Sequence, residues 1–283
     1  MSKKVKKSAV IAAAVLAAAL IAVFFNRSKL IILFSERNIV KGNYSAAETL
    51  LKADKGEYSK ALGEYIGLRR DIKKYYPSLL IEFDAEKIGQ WRGTAKTLAD
   101  NGIIQNAEIG AVVRNIAAGT GLILSVDSAY AGIEDDVDCL LDIFSEYNRL
   151  HIQKNGENAV FTLREEYAKI DKWKRALEKI SDFAEAVPDY EGVYLLSYLI
   201  KEGQSEIVQF ENEMDAVASA GHGLDENVHY SDNTARNFPE INNGNGAVIS
   251  FRNKADFKKY LLSGIRSQLI STQLIGYYYS EDE

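Results

Sequence analysis

The sequence predicts a mainly α-helical protein: an N-terminal transmembrane helix followed by a helical body. Three observations carry this. Apolar residues recur at steps of three and four along most of the chain, glycines separate those stretches, and only 3 Pro occur in 283 residues with few alternating runs. Such spacing lines one side of a helix, and glycine supplies the backbone freedom that ends it.

The first element is the run 8–25, which holds no charged residue and is built from Ala, Val, Ile, Leu and Phe. As a helix it spans roughly 27 Å, close to the ~30 Å hydrocarbon core of a bilayer. Lys3, Lys4, Lys6 and Lys7 precede it, against Arg27 and Lys29 just after. That asymmetry places the N-terminus in the cytoplasm and the body outside, the layout of a single-pass inner-membrane protein with a periplasmic body. A cleaved signal peptide is the alternative. Ala17 and Ala19 offer a small-x-small site, but cutting there leaves Leu20, Ile21, Val23, Phe24 and Phe25 as an apolar new terminus. Ala14, Ala18 and Ala22 form one smooth face on the anchor, which suits close helix approach and possible self-association.

Beyond the anchor, helices are expected at 44–52, 57–75, 84–101, 106–118, 135–150, 159–187, 190–201, 206–219 and 254–274. Gly42, Gly56, Gly102, Gly119, Gly156, Gly203 and Gly221 act as separators. The longest pattern places Val160, Leu163, Tyr167, Ile170, Lys174, Leu177, Ile180, Ala184 and Val187 on one face, with Lys174 its single polar break, and Pro188 ends it. Residues 247–251 read as a short strand, and 121–126 fit helix or strand. The domain layout is then a cytoplasmic tip and anchor at 1–28, a helical body at 29–220, a long polar loop at 221–246, and a strand and helix at 247–283 packing on the body.

Lys41-Gly42-Asn43-Tyr44-Ser45-Ala46-Ala47 is echoed by Lys55-Gly56-Glu57-Tyr58-Ser59-Lys60-Ala61. With Tyr65, this glycine, aromatic and small-residue order is similar to the opening of the second helix in a tetratricopeptide repeat. The stretch 188–219, with Leu195, Leu199, Gly203 and Val208, resembles a degenerate hairpin of the same kind. The departures are plain: Gly42 and Gly56 lie 14 residues apart, not a repeat period of ~34, and Ser205 stands where the aromatic belongs. The resemblance covers about a quarter of the chain. It implies stacked helix pairs whose grooves bind proteins, with no cofactor and no catalysis. Tyr44, Tyr58, Tyr65, Tyr194 and Tyr198 are the partner-binding candidates.

Catalytic signatures are missing from the sequence. It contains no nucleophile elbow, no phosphate-binding loop and no zinc helix of the His-Glu-x-x-His type. His222, Asp225, Glu226 and His229 are the weak metal candidates. On a helix they would share a face, but Gly221 and Gly223 oppose a helix there. The acidic run Glu134-Asp135-Asp136-Val137-Asp138 is expected to favour the N-terminus of a following helix. The single Cys139 sits in an apolar pattern and reads as a buried structural thiol.

Charge narrows the partner class. Four of the 34 Lys and Arg precede residue 8, leaving 30 against 40 Asp and Glu, so the body carries about −10. An acidic body is repelled by phosphate backbones, which argues against nucleic acid and for proteins. The sequence-level expectation is a membrane-anchored, extracytoplasmic helical scaffold or adaptor. It would be held in lipid by residues 8–25, bind other envelope proteins, carry no cofactor and not act as an enzyme. The alternative is a metal- or ligand-binding, or enzymatic, domain centred on 221–246.

Overall fold

A computed structural model describes residues 26–151, 159–230, 240–242, 248–251 and 253–278. The expected anchor at 8–25, with Ala14, Ala18 and Ala22, lies outside the described residues, as do Gly156 and the acidic tip at 279–283. The described chain is mainly helical, with eight α-helices and four short strands. It divides into two compact units. The first comprises residues up to Pro77, then Asp84–Gly121, then residues from Gln273. The second comprises Ser78–Phe83 and Leu122–Thr272.

The first unit opens with α1 (Arg27–Val40) and α2 (Tyr44–Leu51), packed as a hairpin. Gly42 takes φ 82° between them. Its N–H donates to Ile39 O at 2.9 Å, and Asn43 N–H donates to Asn38 O at 2.8 Å. This pair of bonds satisfies the last carbonyls of α1, and the left-handed residue it requires is why glycine stands there. Helix α3 (Glu57–Leu79) follows, buries Leu62, Tyr65, Ile66 and Ile72, and stops two residues past Pro77. Helix α4 (Ala85–Asp100) is started by Asp84, whose carboxylate accepts from Lys87 N–H at 2.8 Å. It buries Ile88, Trp91, Ala95 and Leu98 at helical spacing, and Gly102 closes it at φ 59°.

Helix α5 (Ala107–His151) begins where Asn106 caps the N–H groups of Glu108 and Ile109, each at 3.1 Å. It runs through all three segments expected as separate pieces, 106–118, 121–126 and 135–150. Gly119 and Gly121 do not break it, because both stay helical and let side chains approach. A methyl on Gly119 would sit 3.2 Å from Gln273 Cβ. One stretch of the described residues, Ala107–Ile143 in this helix, is long and apolar enough to cross a membrane, and 44% of its most apolar window is buried inside the protein. Burial of Ile116, Ile123, Val126, Val137 and Leu140 is what a core helix needs as well.

In the second unit, β1 (Ala159–Thr162) precedes α6 (Leu163–Glu185), so the pattern expected as one helix over 159–187 starts as a strand. Thr162 caps α6 by accepting from Glu165 N–H at 3.3 Å. The buried face runs through Leu163, Ile170, Trp173, Ala176, Ile180 and Ala184. Lys174 and Tyr167, expected inside, instead reach Glu211 and Asp215 at 2.6 Å. Trp173 takes the interior place, its ring edge-on to Phe210 at 5.2 Å.

A 3₁₀ turn (Tyr190–Gly192) leads into α7 (Tyr194–Ser219), which is one helix and not the expected pair 190–201 and 206–219. Gly203 lies inside it, against Leu140. The hairpin expected at 188–219 is therefore absent. Gly221, at φ 99°, ends α7. The stretch read as a polar loop, 221–246, contains β2 (Asn227–Tyr230), antiparallel to β1, and β3 (Glu240–Asn242), antiparallel to β4 (Val248–Ser250). Helix α8 (Lys254–Tyr278) then buries Phe257, Leu261, Ile265 and Leu269 at successive turns.

The acidic run at 134–138 lies deep within α5, not at a helix start. Glu134, Asp138 and Asp142 stand one turn apart and face α8: Lys258 meets Glu134 at 3.0 Å and Asp138 at 2.6 Å, and Lys254 pairs with Asp142. Lys179 of α6 takes Asp136 at 2.9 Å. Cys139 is a free, buried thiol.

Candidate functional site

The sharp turn at Gly42 leaves a concavity where the end of α1, the start of α2, the middle of α3 and the first turn of α5 meet. It is a cleft of about 460 Å³ lined by Ile39, Val40, Lys41, Gly42, Tyr44, Tyr65, Arg69, Glu108, Ile109 and Val112. Tyr65 and Arg69 stand one turn apart on α3, so both point the same way. The Arg69 guanidinium donates to the Tyr65 hydroxyl at 3.2 Å. It also lies over two rings, 5.8 Å from the centroid of Tyr44 and 5.2 Å from that of Tyr277. Burial pushes the Tyr65 phenol up to about 12, so it stays protonated and neutral across physiological pH.

Arg69 is only 6% exposed. A buried guanidinium between aromatic faces gives a positive centre to a recess of mixed lining, in which Lys41 and Glu108 stand beside Ile39, Ile109 and Val112. Its charge and that of Lys41, exposed at the rim, make this part of the first unit locally positive. Periodicity alone missed Arg69 and Lys41. The signal available was the Tyr65-x-x-x-Arg69 spacing, which puts an aromatic and a cation on one face of a helix.

The five tyrosines expected to line grooves have three different situations. Tyr44 and Tyr65 converge on the cleft. Tyr58 acts as a brace: its hydroxyl donates to Glu36, and accepts from the N–H groups of Gln105 and Asn106, each at 3.3 Å. Burial, followed by the Glu36 contact, pushes this phenol up to about 12. Tyr194 and Tyr198 belong to the second unit, with ring centroids 6.4 Å apart on the first turns of α7. Tyr194 is exposed, and burial pushes half-buried Tyr198 up to about 12.

His222, Asp225, Glu226 and His229 are spread out, because the chain after Gly221 is a turn and then a strand. Asp225 is held in a fork by Arg164 at 2.6 and 3.0 Å, and that contact lowers its carboxyl. Glu226 accepts from Gly223 N–H at 3.0 Å and lies 3.3 Å from His222; these contacts lower its carboxyl too. His229 sits on β2 opposite Val160 and is exposed. Among the described residues, no three His, Cys, Asp or Glu side chains gather as a metal site.

No family model, no curated protein and no solved structure matches this chain.

Proposed function

We propose that the protein is a membrane-anchored helical adaptor. Residues 8–25 hold it in the bilayer, the body lies outside the cytoplasm, and the Tyr44–Tyr65–Arg69 cleft docks a peptide segment of a neighbouring envelope protein. The observation that carries this reading is the buried guanidinium, framed by aromatic rings, in a recess open to solvent. Such a recess takes an extended or turn segment bearing one carboxylate and an apolar neighbour. The carboxylate is drawn to the recess by the Arg69 and Lys41 charges, and the apolar group meets Ile109 and Val112. The role is binding without catalysis. Anchoring strengthens it by confining the protein and its partner to one membrane, which raises their effective concentration.

The test is photocrosslinking in cells, with the reactive residue placed at Lys41 of the full chain. Lys41 is exposed at the rim, so the replacement leaves the fold intact. Discrete adducts are expected, reduced roughly tenfold by Tyr44→Ala or Arg69→Leu, the effect of losing one anchoring contact. Adducts that persist undiminished in both variants, with circular dichroism showing them folded, would rule out the cleft as the docking site.

A further inference from the structure

Helix α1 exposes three large apolar side chains, Leu33, Phe34 and Val40, within eight residues. Leu30, Leu33, Phe34, Arg37 and Val40 share one face, at spacings of three, four, seven and ten from Leu30. Leu33 is 59% exposed, Phe34 49% and Val40 42%, whereas Ser35 and Ile39 on the opposite side are buried. The helix is thus fixed to its unit by one edge and turns its larger apolar side outward. Basic residues frame that side: Arg27 and Lys29 before it, Arg37 within it and Lys41 after it, all exposed. Residues 27–41 carry four basic residues against Glu36 alone, in a body that is otherwise strongly acidic.

We infer that this face of α1 lies in the interface of a phospholipid bilayer, with Leu33 and Phe34 among the upper acyl chains and the basic residues at the headgroups. The inference rests on the reading of residues 8–25 as a membrane anchor. Chain length then fixes where α1 can be. Leu33 is eight residues beyond Phe25, so as helix it lies at most about 12 Å from the point where the anchor leaves the hydrocarbon, and Phe34 only ~1.5 Å further. The headgroup region is itself several ångströms thick, so a helix starting at Arg27 runs within or along it. An apolar face flanked by Lys and Arg is the composition that settles there, and anionic headgroups add attraction to each basic side chain. Charge separates this surface from the rest of the body, which such headgroups repel. The result is a second attachment that sets how the body stands on its tether, and it brings the Tyr44–Arg69 cleft, whose rim includes Val40 and Lys41, close to the membrane surface.

The test uses the full chain with Cys139→Ala, reconstituted in vesicles of phosphatidylcholine with a minority of phosphatidylglycerol. Single cysteines from Leu33→Cys, Phe34→Cys and, as a control on the exposed side of α4, Lys96→Cys carry an environment-sensitive fluorophore, and lipids brominated near the headgroup act as quenchers. The labels at 33 and 34 should be quenched roughly threefold or more over the label at 96, as expected for side chains within ~5–10 Å of the acyl boundary. Equal quenching at all three sites in a chain that floats with the vesicles would overturn the inference and leave the anchor intact. A chain that does not float would remove the anchor reading, and this inference with it. Disulfide-linked dimers of the unlabelled Leu33→Cys chain on mild oxidation, with no lipid quenching of the labelled one, would assign the face to a second copy of the chain and also overturn it.

Discussion

Replacing Gly203 by alanine separates two explanations of one glycine. A methyl built on Gly203 would lie 3.0 Å from Leu140 Cδ2 and 3.3 Å from both Cδ1 and Cγ. Leu140 is fully buried on α5 and has no room to retreat. Forcing a methyl into such a contact costs about 1–3 kcal/mol, whereas alanine in a helix interior gains ~1 kcal/mol over glycine. Gly203→Ala should therefore destabilise by about 1 kcal/mol. Leu140→Ala removes all three clashing atoms, at its own cost of about 2–5 kcal/mol. In that background the clash is gone and Gly203→Ala should stabilise by ~1 kcal/mol, a coupling of roughly 2 kcal/mol between the two positions. Urea unfolding followed by far-UV circular dichroism measures all four proteins, with Gly93→Ala, an exposed helical glycine with open space around it, as the case where only the gain appears. If Gly203→Ala destabilises equally in both backgrounds, then the position needs glycine for its backbone, as a turn would, and the packing argument is wrong.

Three further outcomes are expected. Burial raises the Asp71 carboxyl, but hydrogen bonds from Lys87 and from the Trp91 indole at 2.8 Å outweigh it and leave the group below its ordinary value. Its contribution is thus present above a pH of about 4 and lost as pH falls through the lowered value; Asp71→Asn should cost about 1–2 kcal/mol at neutral pH and flatten the acid limb followed by Trp91 emission. The hydrogen bond to Asp138, with a smaller one to Glu134, raises Lys258 against burial. This contribution is present below the ordinary lysine value and lost only as pH rises through the raised one, so Lys258→Met should cost ~1 kcal/mol at neutral pH and approach the parent only once pH has passed the raised lysine value. Cys139, 8% exposed, should react with a disulfide reagent on the order of a hundredfold slower in the native chain than in urea; a fast native reaction would mean α5 opens locally.

The elements that could be read from the sequence were those whose signal is local. Residues 44–51, 57–79 and 85–100 begin and end within a few residues of expectation, because Gly42, Pro77, Asp84 and Gly102 act on their own backbone. What depends on neighbours was not legible. Gly119 and Gly203 look like stops and are instead places where Gln273 and Leu140 come close, a property of distant residues. Helix α1 carries no clean helical period in the sequence, since Leu30–Phe34 is apolar all round. Residues 159–162 continue a helical pattern into α6 yet pair with Asn227–Tyr230, a partner 65 residues or more away in sequence. The cleft was half legible: Tyr44 and Tyr65 stood out as aromatics, but only the fold brings Arg69 onto the Tyr65 hydroxyl and over the rings of Tyr44 and Tyr277.

The first unit is assembled from both ends of the described chain. Its core takes Leu274, and its surface takes Tyr278, stacked on Tyr76 at 4.9 Å. A ribosome therefore delivers the earliest helices long before the turn of α8 that completes them, with all 151 residues of Leu122–Thr272 emerging in between. Until Tyr278 has been made, Gly119 lacks Gln273, Arg69 lacks the ring of Tyr277 and Tyr76 lacks its stacking partner, and shortening the chain at residue 272 would harm the opening helices as well as its own end.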